Sequence, residues 1–286
     1  MKKLIYCERR TIDPTVDRVM QAISYSCTDF GHEVRHTAPF QVHTGSKYDL
    51  AIVWNGIHPK YREPLKKLRS MEVPILVIEL GWYPQRETFQ VDPEGFNLNA
   101  SWARVSLQPT PGLQVTFPDH DEILVILQLD DDTQIKQFSP HFPNMASFVK
   151  HLIDECPHPL RIRQHPHHKT RGDVRSVVKS NPSRCRWDKS QSLGEALMNC
   201  KAVATVNSSS AIEALIKNIP VFCFGESIYR HEGAVVCCTN KGTRKKFQKP
   251  VVFSGRSSDL VQRILHRQWT LKDLPQRLEP VLNGLW

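Results

Sequence analysis

Long hydrophobic runs are missing from this sequence of 286 residues. No apolar segment approaches the roughly 18–20 residues that span a bilayer. The amino terminus, Met1-Lys-Lys-Leu-Ile-Tyr-Cys-Glu, is also too short and too soon charged for a signal peptide. We therefore expect a cytoplasmic protein without a transmembrane segment.

Signature motifs of several enzyme classes are missing too. The sequence contains no Walker A motif, no G-x-S-x-G elbow and no H-E-x-x-H pair, which argues against the corresponding nucleotidases, hydrolases and metalloproteases. Its eight cysteines have no C-x-x-C spacing, and several lie in apolar runs, so we predict reduced core thiols. Cys156 and the histidines that follow it match no usual zinc spacing, and we expect neither a metal nor a cofactor.

What the sequence does have is a globular composition and a basic charge. Hydrophobic residues make up 40% of the chain and charged residues 23%, and the length suits two domains of ordinary size. The formal net charge of +9 favours an anionic partner. A nucleotide sugar, a nucleic acid, an anionic lipid and an acidic glycan all satisfy that requirement.

The first 80 residues alternate strand and helix patterns. Asp13-Pro14 predicts the start of a helix that Gly31 ends, and residues 59–70 predict a second, basic helix. Predicted strands are residues 4–7, 33–37, 50–54 and 74–79. This rhythm predicts a parallel sheet covered on both faces.

An irregular segment rich in Pro, Gly and Asn follows from Gly81 to about Asp121. We place the domain crossing near residues 118–122, which gives an amino-terminal domain of residues 1–120 and a carboxy-terminal domain of residues 121–286. The second domain opens with a buried strand over residues 123–128, followed by Asp130, Asp131 and Asp132. Its last predicted helices are residues 257–267 and 274–285.

A serine-rich turn is the most informative feature of the second half. The apolar run of residues 202–206 stops at Asn207, and Ser208, Ser209 and Ser210 precede a helical segment. Ser210 and Glu213 have the spacing of a capping box, so we predict that the helix begins near Ser210. Hydroxyl groups and free N–H groups beyond a parallel strand suit a phosphate.

Four motifs occur in a fixed order in this region. They are Arg-x-His-Pro at residues 163–166, Ser-Leu-x-Glu-Ala-Leu at 192–197, Val-Asn-Ser-Ser-x-x-x-Glu-Ala-Leu at 206–215, and Pro-Val-x-x-x-Gly-x-x-x-Tyr-x-x-x-Gly at 220–233. As an ordered set they resemble the capsule polysaccharide biosynthesis family, which includes the bacterial β-Kdo transferases. The resemblance covers most of residues 120–235. It implies an α/β fold with two Rossmann-like domains of the GT-B type, a cleft between them, and a terminal helix that returns to the first domain.

The resemblance also implies site residues. Gln-x-x-Asp-Asp-x-x-Ile at residues 128–135 is similar to a family segment whose last aspartate is the candidate nucleophile, which falls on Asp132. Glu-x-Gly-aromatic at residues 79–82 resembles a family Glu-Asp-Gly-Phe segment, and Glu79 becomes the candidate acid/base group. A later Asp-x-x-Gly in the family places Asp92 among candidate acceptor-binding residues. The candidate donor-binding residues are His165, Pro166, Lys169, Arg171, Asn207, Ser208, Ser209, Ser210, Glu213 and Tyr229.

The function implied is a retaining glycosyltransferase that moves a sugar from a nucleotide sugar to a glycan or glycolipid. Two carboxylates would serve a double displacement, and donors at the phosphate would stabilise the departing nucleotide. The basic stretch of residues 240–249, with Lys245 and Lys246, is either an exposed loop or a candidate surface for an anionic acceptor, including a DNA backbone. Peripheral membrane association of the protein is also left open. Two alternatives stay open: a phage-type glycosyltransferase that modifies a hydroxylated pyrimidine in DNA, and a non-catalytic nucleotide- or nucleic-acid-binding protein on the same fold.

Overall fold

The computed structural model describes residues 1–9, 13–42, 47–55, 59–103, 112–166 and 172–284. The chain forms two compact units. The first contains Met1–Val105 and Ile264–Trp286, and the second contains Ser106–Arg263. None of the helices in the described ranges contains a hydrophobic stretch of the length that spans a bilayer.

The strands and helices alternate along most of the chain. The strands are β1 (Leu4–Glu8), β2 (Glu33–Thr37), β3 (Leu50–Trp54), β4 (Ile75–Leu80), β5 (Thr88–Asp92), β6 (Ile123–Ile126), β7 (Leu160–Arg163), β8 (Cys185–Trp187), β9 (Ala202–Thr205), β10 (Val221–Cys223), β11 (Val236–Cys237) and β12 (Gln268–Thr270). The α-helices are α1 (Pro14–Asp29), α2 (Arg62–Ser70), α3 (Thr133–Phe138), α4 (Met145–Glu155), α5 (Gly172–Lys179), α6 (Leu193–Met198), α7 (Ser210–Ile216), α8 (Thr243–Gln248), α9 (Ser254–Arg267) and α10 (Leu274–Leu282).

The first unit is built on a sheet with the strand order β12-β5-β4-β3-β1-β2. Alternate residues of its strands enter different cores, which confirms a sheet covered on both faces. Ile5 and Ile52 pack with α1 and α10 on one face, whereas Tyr6 and Val53 pack with α2 on the other. Apolar side chains on both faces explain why the strands are continuous hydrophobic runs.

Helix α1 shows how local sequence sets the ends of an element. The Asp13 carboxylate accepts a hydrogen bond from the Thr15 N–H at 2.7 Å, and Pro14 occupies the first turn. Just past the helix, Gly31 has a φ of +83°, which a residue without Cβ adopts at little cost. The predicted start and stop of this helix are therefore confirmed.

Strand β5 lies in the segment that the sequence analysis treated as irregular. It pairs antiparallel with β4, and β12 pairs antiparallel with β5. The first sheet is thus mixed and not wholly parallel. The sequence pattern of β5 is short, and its second partner lies far away in the chain, so local periodicity does not reveal it.

The second unit is built on a sheet with the order β11-β10-β9-β6-β7-β8, in which all the neighbouring strands run parallel. Its core includes a group of aromatic rings. Phe142 and Phe148 contact Phe224, with ring centroids 5.9 and 5.1 Å away. All eight cysteines of the protein are buried with free thiols, as the sequence predicts.

The division between the units falls before Ser106, earlier than the region of residues 118–122 that the sequence analysis chose. Residues that precede Pro118 already pack on the second sheet. The Val115 N–H donates to the Val252 carbonyl at 2.8 Å, and the Phe117 ring lies 6.0 Å from the Phe222 ring. At the other end, β12 joins the first sheet, and Leu278 of α10 packs in the core that α1 covers.

Candidate functional site

The carboxyl ends of the strands of the second sheet bring most of the candidate residues to one edge. Strands β7, β6, β9 and β10 are adjacent and parallel, so the segments that follow them meet at that edge. These segments carry the histidine–proline pair, the acidic triplet, the serine-rich turn and the Gly225–Tyr229 loop. We call this edge the strand-end site.

Asn207 holds the strand-end site together. Its side-chain oxygen accepts from Gln128 Nε2 at 2.8 Å, and its own N–H donates to Gln128 Oε1 at 3.0 Å. Its amide nitrogen also reaches the carbonyls of Gln134 and Glu226 at 3.1 and 3.3 Å. Asn207 is 6% exposed, so its role here is to connect three loops and not to present its side chain to solvent.

The serine-rich turn leaves hydroxyl groups available. Ser208 Oγ accepts from the Ser210 N–H at 3.3 Å, which folds the turn back on itself. The hydroxyls of Ser209 and Ser210 have no hydrogen-bond partner among the described residues, and both side chains are half-buried. The turn can therefore offer hydroxyl donors to a ligand.

The predicted capping box at Ser210 and Glu213 is wrong. The N-cap of α7 is Ser209, and its backbone is helical (φ −60°, ψ −23°). The Ser209 side chain makes no capping hydrogen bond. A capping bond forms instead at α6, where Ser192 is extended and its hydroxyl accepts from the Glu195 N–H at 3.1 Å. Glu213 is consequently not occupied as a cap.

Tyr229 stabilises the serine-rich turn by a hydrogen bond to its backbone. Its hydroxyl donates to the Ser208 carbonyl at 2.8 Å, and the side chain is 1% exposed. Burial raises the pKa of Tyr229 well above its ordinary value, so the hydroxyl stays protonated and keeps its donor proton. Its observed contact makes Tyr229 a positioning residue for the turn.

Gly225 is required by close packing at the end of β10. A Cβ atom at this position would lie 2.8 Å from the Phe138 carbonyl oxygen and 2.8 Å from Val206 Cγ1. The Gly225 N–H also donates to the Val206 carbonyl at 2.7 Å. The glycine of the fourth motif thus lets two strand-end loops approach each other.

The three aspartates after β6 have three different environments. Asp130 accepts from the Met145 N–H at 2.6 Å and so anchors the start of α4. Asp131 is exposed. Asp132 is the N-cap of α3, and its Oδ1 accepts from the Gln134 N–H at 2.8 Å. The second carboxylate oxygen of Asp132 has no partner among the described residues and is available for chemistry.

The histidine–proline pair follows β7, with His165 half-buried and Pro166 exposed. Arg163, at the end of the same strand, pairs with Asp188 and donates to the Ser190 carbonyl at 3.1 Å. Although burial opposes its ionisation, hydrogen bonds from Arg163 and Ser190 hold the pKa of Asp188 below its ordinary value. The candidate residues Lys169 and Arg171 lie outside the described residues.

Two candidates belong to the first unit. The Glu79 carboxylate, near the end of β4, accepts from Asn55 Nδ2 at 2.7 Å and from the Leu80 N–H at 2.9 Å. Asp92 is 5% exposed and accepts from the N–H groups of Glu94 and Gly95 at 2.8 and 3.1 Å, and from the Ser101 hydroxyl as well. The observed role of Asp92 is to anchor the loop that follows β5 and contains Glu94, Gly95 and Ser101.

The basic candidates lie on α8. Lys245 and Lys246 are exposed, and Lys246 approaches Glu232 at 3.9 Å. The sequence analysis treated this stretch as a loop or a binding surface, but buried Thr243 and Phe247 fix it as a short helix. Its lysines therefore stand on an ordered element.

Sequence reasoning missed two contributors to the strand-end site: Gln128, the partner of Asn207, and the ion pair of Arg163 with Asp188. The available signal was the position of Gln128 at the end of the predicted strand, directly before the acidic triplet segment. Among the described residues, no three His, Cys, Asp or Glu side chains form a cluster that could hold a metal ion.

Comparisons with known proteins give a family match for the second half of the chain and solved structures with a similar fold. The model of the family described as "Capsule polysaccharide biosynthesis protein" matches residues 114–251. Protein FixF of Sinorhizobium fredii is 26% identical over 221 residues, a match that covers 67% of this chain and 53% of FixF. The chain thus spans about half of the length of that relative.

Two solved structures of Thermosulfurimonas dismutans KpsC share the fold. The β-Kdo 2,7-transferase has a TM-score of 0.57 and 14% identity, covering 98% of this chain and 99% of the solved one. The β-Kdo 2,4-transferase has a TM-score of 0.54 and 13% identity, covering 97% and 98%. The fold is therefore the α/β architecture of the GT-B type, with a predominantly parallel sheet in each unit. The resemblance to the capsule polysaccharide biosynthesis family is confirmed, and residues 114–251 are the part of the chain that carries it.

Proposed function

We propose that this protein is a glycosyltransferase of the capsule-synthesis type that uses a nucleotide-sugar donor and retains the anomeric configuration. The observation that carries the proposal is the strand-end site itself. It combines the hydroxyls of Ser209 and Ser210 with one unpartnered oxygen of Asp132 at the carboxyl edge of a parallel sheet. The family match over residues 114–251 includes all of these residues.

The serine-rich turn is the proposed phosphate-binding element. Hydroxyl donors at this edge would share the charge that accumulates on the departing nucleotide as the glycosidic bond breaks. His165 follows β7, which β6 separates from β9, and is the proposed second donor to the same phosphate. Tyr229 acts through the turn, because its hydroxyl holds the Ser208 carbonyl. Asn207 acts by connecting the start of the turn to α3 and to the loop after β10. Glu213, which is not engaged as a cap, is the proposed acceptor for a ribose hydroxyl.

Two carboxylates carry the proposed chemistry. In the first step the free oxygen of Asp132 forms a bond to the anomeric carbon while the bond to the nucleotide phosphate oxygen breaks, and the nucleotide leaves with that electron pair. In the second step the acceptor hydroxyl attacks the same carbon, a general base takes its proton, and the bond to Asp132 breaks. Glu79 is the residue to which the family resemblance gives the role of that base. Two inversions at one carbon give net retention. No metal ion is required in this scheme, because side-chain donors bind the phosphate.

The proposed acceptor is a glycan or a glycolipid. The matched family is described by polysaccharide biosynthesis, and both solved relatives are named as Kdo transferases. These descriptions favour a sugar acceptor over the pyrimidine in DNA that the basic charge also admits.

A thermal-shift screen of CMP-, UDP- and GDP-linked sugars tests the proposal. A cognate donor at about 100 times its Kd adds roughly 2.7 kcal/mol to the free energy of unfolding, so one nucleotide class should raise the Tm well above the others. Ser209→Ala should reduce that shift, and Ser180→Ala, at an exposed site at the end of α5, should not.

Product analysis then tests the transfer itself. Incubation of the cognate donor with a glycan acceptor should give a product with the donor's anomeric configuration by NMR. An inverted product would remove the role of Asp132 as nucleophile. The absence of a shift with every donor would argue for a protein that shares the fold without the activity.

A further inference from the structure

The second unit contains a cavity at the amino ends of its strands, away from the strand-end site. The cavity has a volume of about 410 Å³, within the range of roughly 300–1,000 Å³ found for small-molecule sites. Ile123 begins β6, Lys201 directly precedes β9, and His158 lies two residues before β7, and all three line it. We call it the amino-end cavity.

The wall of the amino-end cavity is aromatic. The rings of Phe117 and Phe222 lie 6.0 Å apart, and those of Phe222 and Phe247 lie 4.3 Å apart with a tilt of 32°. All three rings line the cavity, together with prolines. An apolar or aromatic body would bury its surface against them with a gain of about 25 cal/mol per Å².

The polar lining has positive character. Lys201 and His158 border the cavity, and no acidic side chain is among the described residues that line it. The side chains of Lys201 and His158 form no ion pair and no hydrogen bond with another described residue. Burial and the nearby Lys201 lower the pKa of His158, whereas the charge of Asp121 acts in the opposite direction. The lysine thus supplies a positive charge, and the lowered pKa of His158 favours the neutral imidazole, which donates one hydrogen bond.

Helix α8 extends this positive field to the outside. Phe247 and Gln248 of this helix line the cavity, and the exposed Lys245, Lys246 and Lys249 belong to the same segment. An anion that approaches the cavity is therefore attracted before it enters.

We propose that the amino-end cavity binds a small amphipathic anion. Its apolar body would lie against the three phenylalanine rings, and its carboxylate, sulfonate or phosphate would contact Lys201 and His158. A strand of four residues places the cavity roughly 13 Å from the opposite edge of the sheet. A ligand in the amino-end cavity and a ligand at the strand-end site therefore bind without overlap.

Fluorescence titration with 8-anilinonaphthalene-1-sulfonate tests this proposal on the full chain. Octanoate and octyl phosphate should displace the dye at concentrations at least tenfold lower than octanol or octylammonium, which lack the anion. The concentrations at which octanoate and octyl phosphate displace the dye are then compared. The more effective of the two distinguishes a fatty-acid type of ligand from a phosphate type. Hydrogen exchange with and without octanoate should show added protection in residues 243–248 and near His158.

Matched variants locate the contact. Lys201→Gln should weaken octanoate binding about five- to tenfold, and Lys179→Gln, an exposed lysine that does not line the cavity, should leave it unchanged. Circular dichroism verifies that both variants are folded. The proposal is overturned if octylammonium competes as well as octanoate, if Lys201→Gln binds as the wild type does, or if protection appears elsewhere. A short DNA duplex that displaces the dye as effectively as octanoate would assign the surface to nucleic acid instead.

Nucleotide sugars provide an independent control. Because the two sites lie at opposite edges of the sheet, a nucleotide sugar should not displace the dye. Failure of the glycosyltransferase proposal leaves this result unchanged, so the two proposals are tested separately.

Discussion

Individual residues of the strand-end site divide into those that build it and those that keep unpartnered polar atoms. Asn207, Tyr229 and Gly225 are buried, and each contacts polar, backbone or apolar atoms of neighbouring segments. Asp132 and Ser209 keep polar atoms without a partner among the described residues. Much of the ordered motif thus specifies the shape of the edge, and a smaller part specifies its chemistry.

Asp132→Asn is the most direct test of the proposed nucleophile. Asparagine caps a helix about as well as aspartate, so α3 and the Tm should be preserved. Turnover should fall by at least a thousandfold, because an amide cannot replace the attacking carboxylate. Asp131→Asn, at the exposed neighbour, should keep wild-type kcat. Equal activity of the two variants would assign the nucleophile to another residue.

Asp188→Asn should reveal an acid-dependent contribution to stability. The side chain is 1% exposed and pairs with both Arg161 and Arg163, so its loss should cost about 3 kcal/mol at pH 7. Because the folded-state pKa of Asp188 is lowered, this stabilisation is present above the unfolded-state pKa of about 3.9 and disappears as the pH falls through the folded-state value.

Urea unfolding between pH 7 and pH 3 measures this difference. The gap between wild type and Asp188→Asn should narrow below about pH 4. Asp154→Asn, at an exposed site on α4, provides the comparison and should follow the wild type. A gap that stays constant down to pH 3 would contradict an ionised Asp188.

At the scale of elements, close approach decides where glycine is needed. Gly225→Ala would force a Cβ atom to within 2.8 Å of the Phe138 carbonyl, and we expect a loss of about 1–3 kcal/mol in a thermal unfolding experiment. Gly194→Ala is the matched control. Its Cβ would meet no atom closer than 3.6 Å, and alanine favours the helix, so the Tm should stay constant or rise.

The bounds of the helices and strands show which elements the sequence predicts well. Strands β2 and β3 have the predicted bounds, and α1 and α7 begin where expected, because each depends on local patterns. Strands β5 and β12 were not predicted, since neither has a long apolar run and each depends on a partner remote in the chain. The capping box at Ser210 failed because spacing does not reveal that Ser209 has a helical backbone.

The sequence also predicted the location of the strand-end site better than its internal contacts. Order along the chain was sufficient to place the serine-rich turn and the acidic triplet at the ends of strands. It did not show that Tyr229 would face the Ser208 carbonyl or that Asp92 would be enclosed by N–H groups. Such contacts depend on tertiary packing, which periodicity does not encode.

On the scale of the whole molecule, each unit has its own hydrophobic interior, and α10 completes one of the two cores of the first unit. Leu278→Ala should therefore weaken the first unit by about 2–5 kcal/mol, because Leu278 is 1% exposed in the core that α1 covers. Hydrogen exchange should then accelerate in β1, β3 and β4.

Leu152→Ala is the matched substitution in the second unit, where Leu152 is fully buried. It should accelerate exchange in β6, β7 and β9 instead. Faster exchange in the second unit's strands on Leu278→Ala would contradict the assignment of α10 to the first core.

The pairing of β12 with β5 also has a consequence for biosynthesis. While a ribosome makes this protein, β5 emerges early, but the strand that covers its outer edge is added only after the whole second unit, a delay on the order of 10 s. During that interval the nascent first sheet has an unprotected edge, which is a site for incorrect pairing. A chaperone that binds extended segments would therefore bind the nascent chain most at this stage of translation.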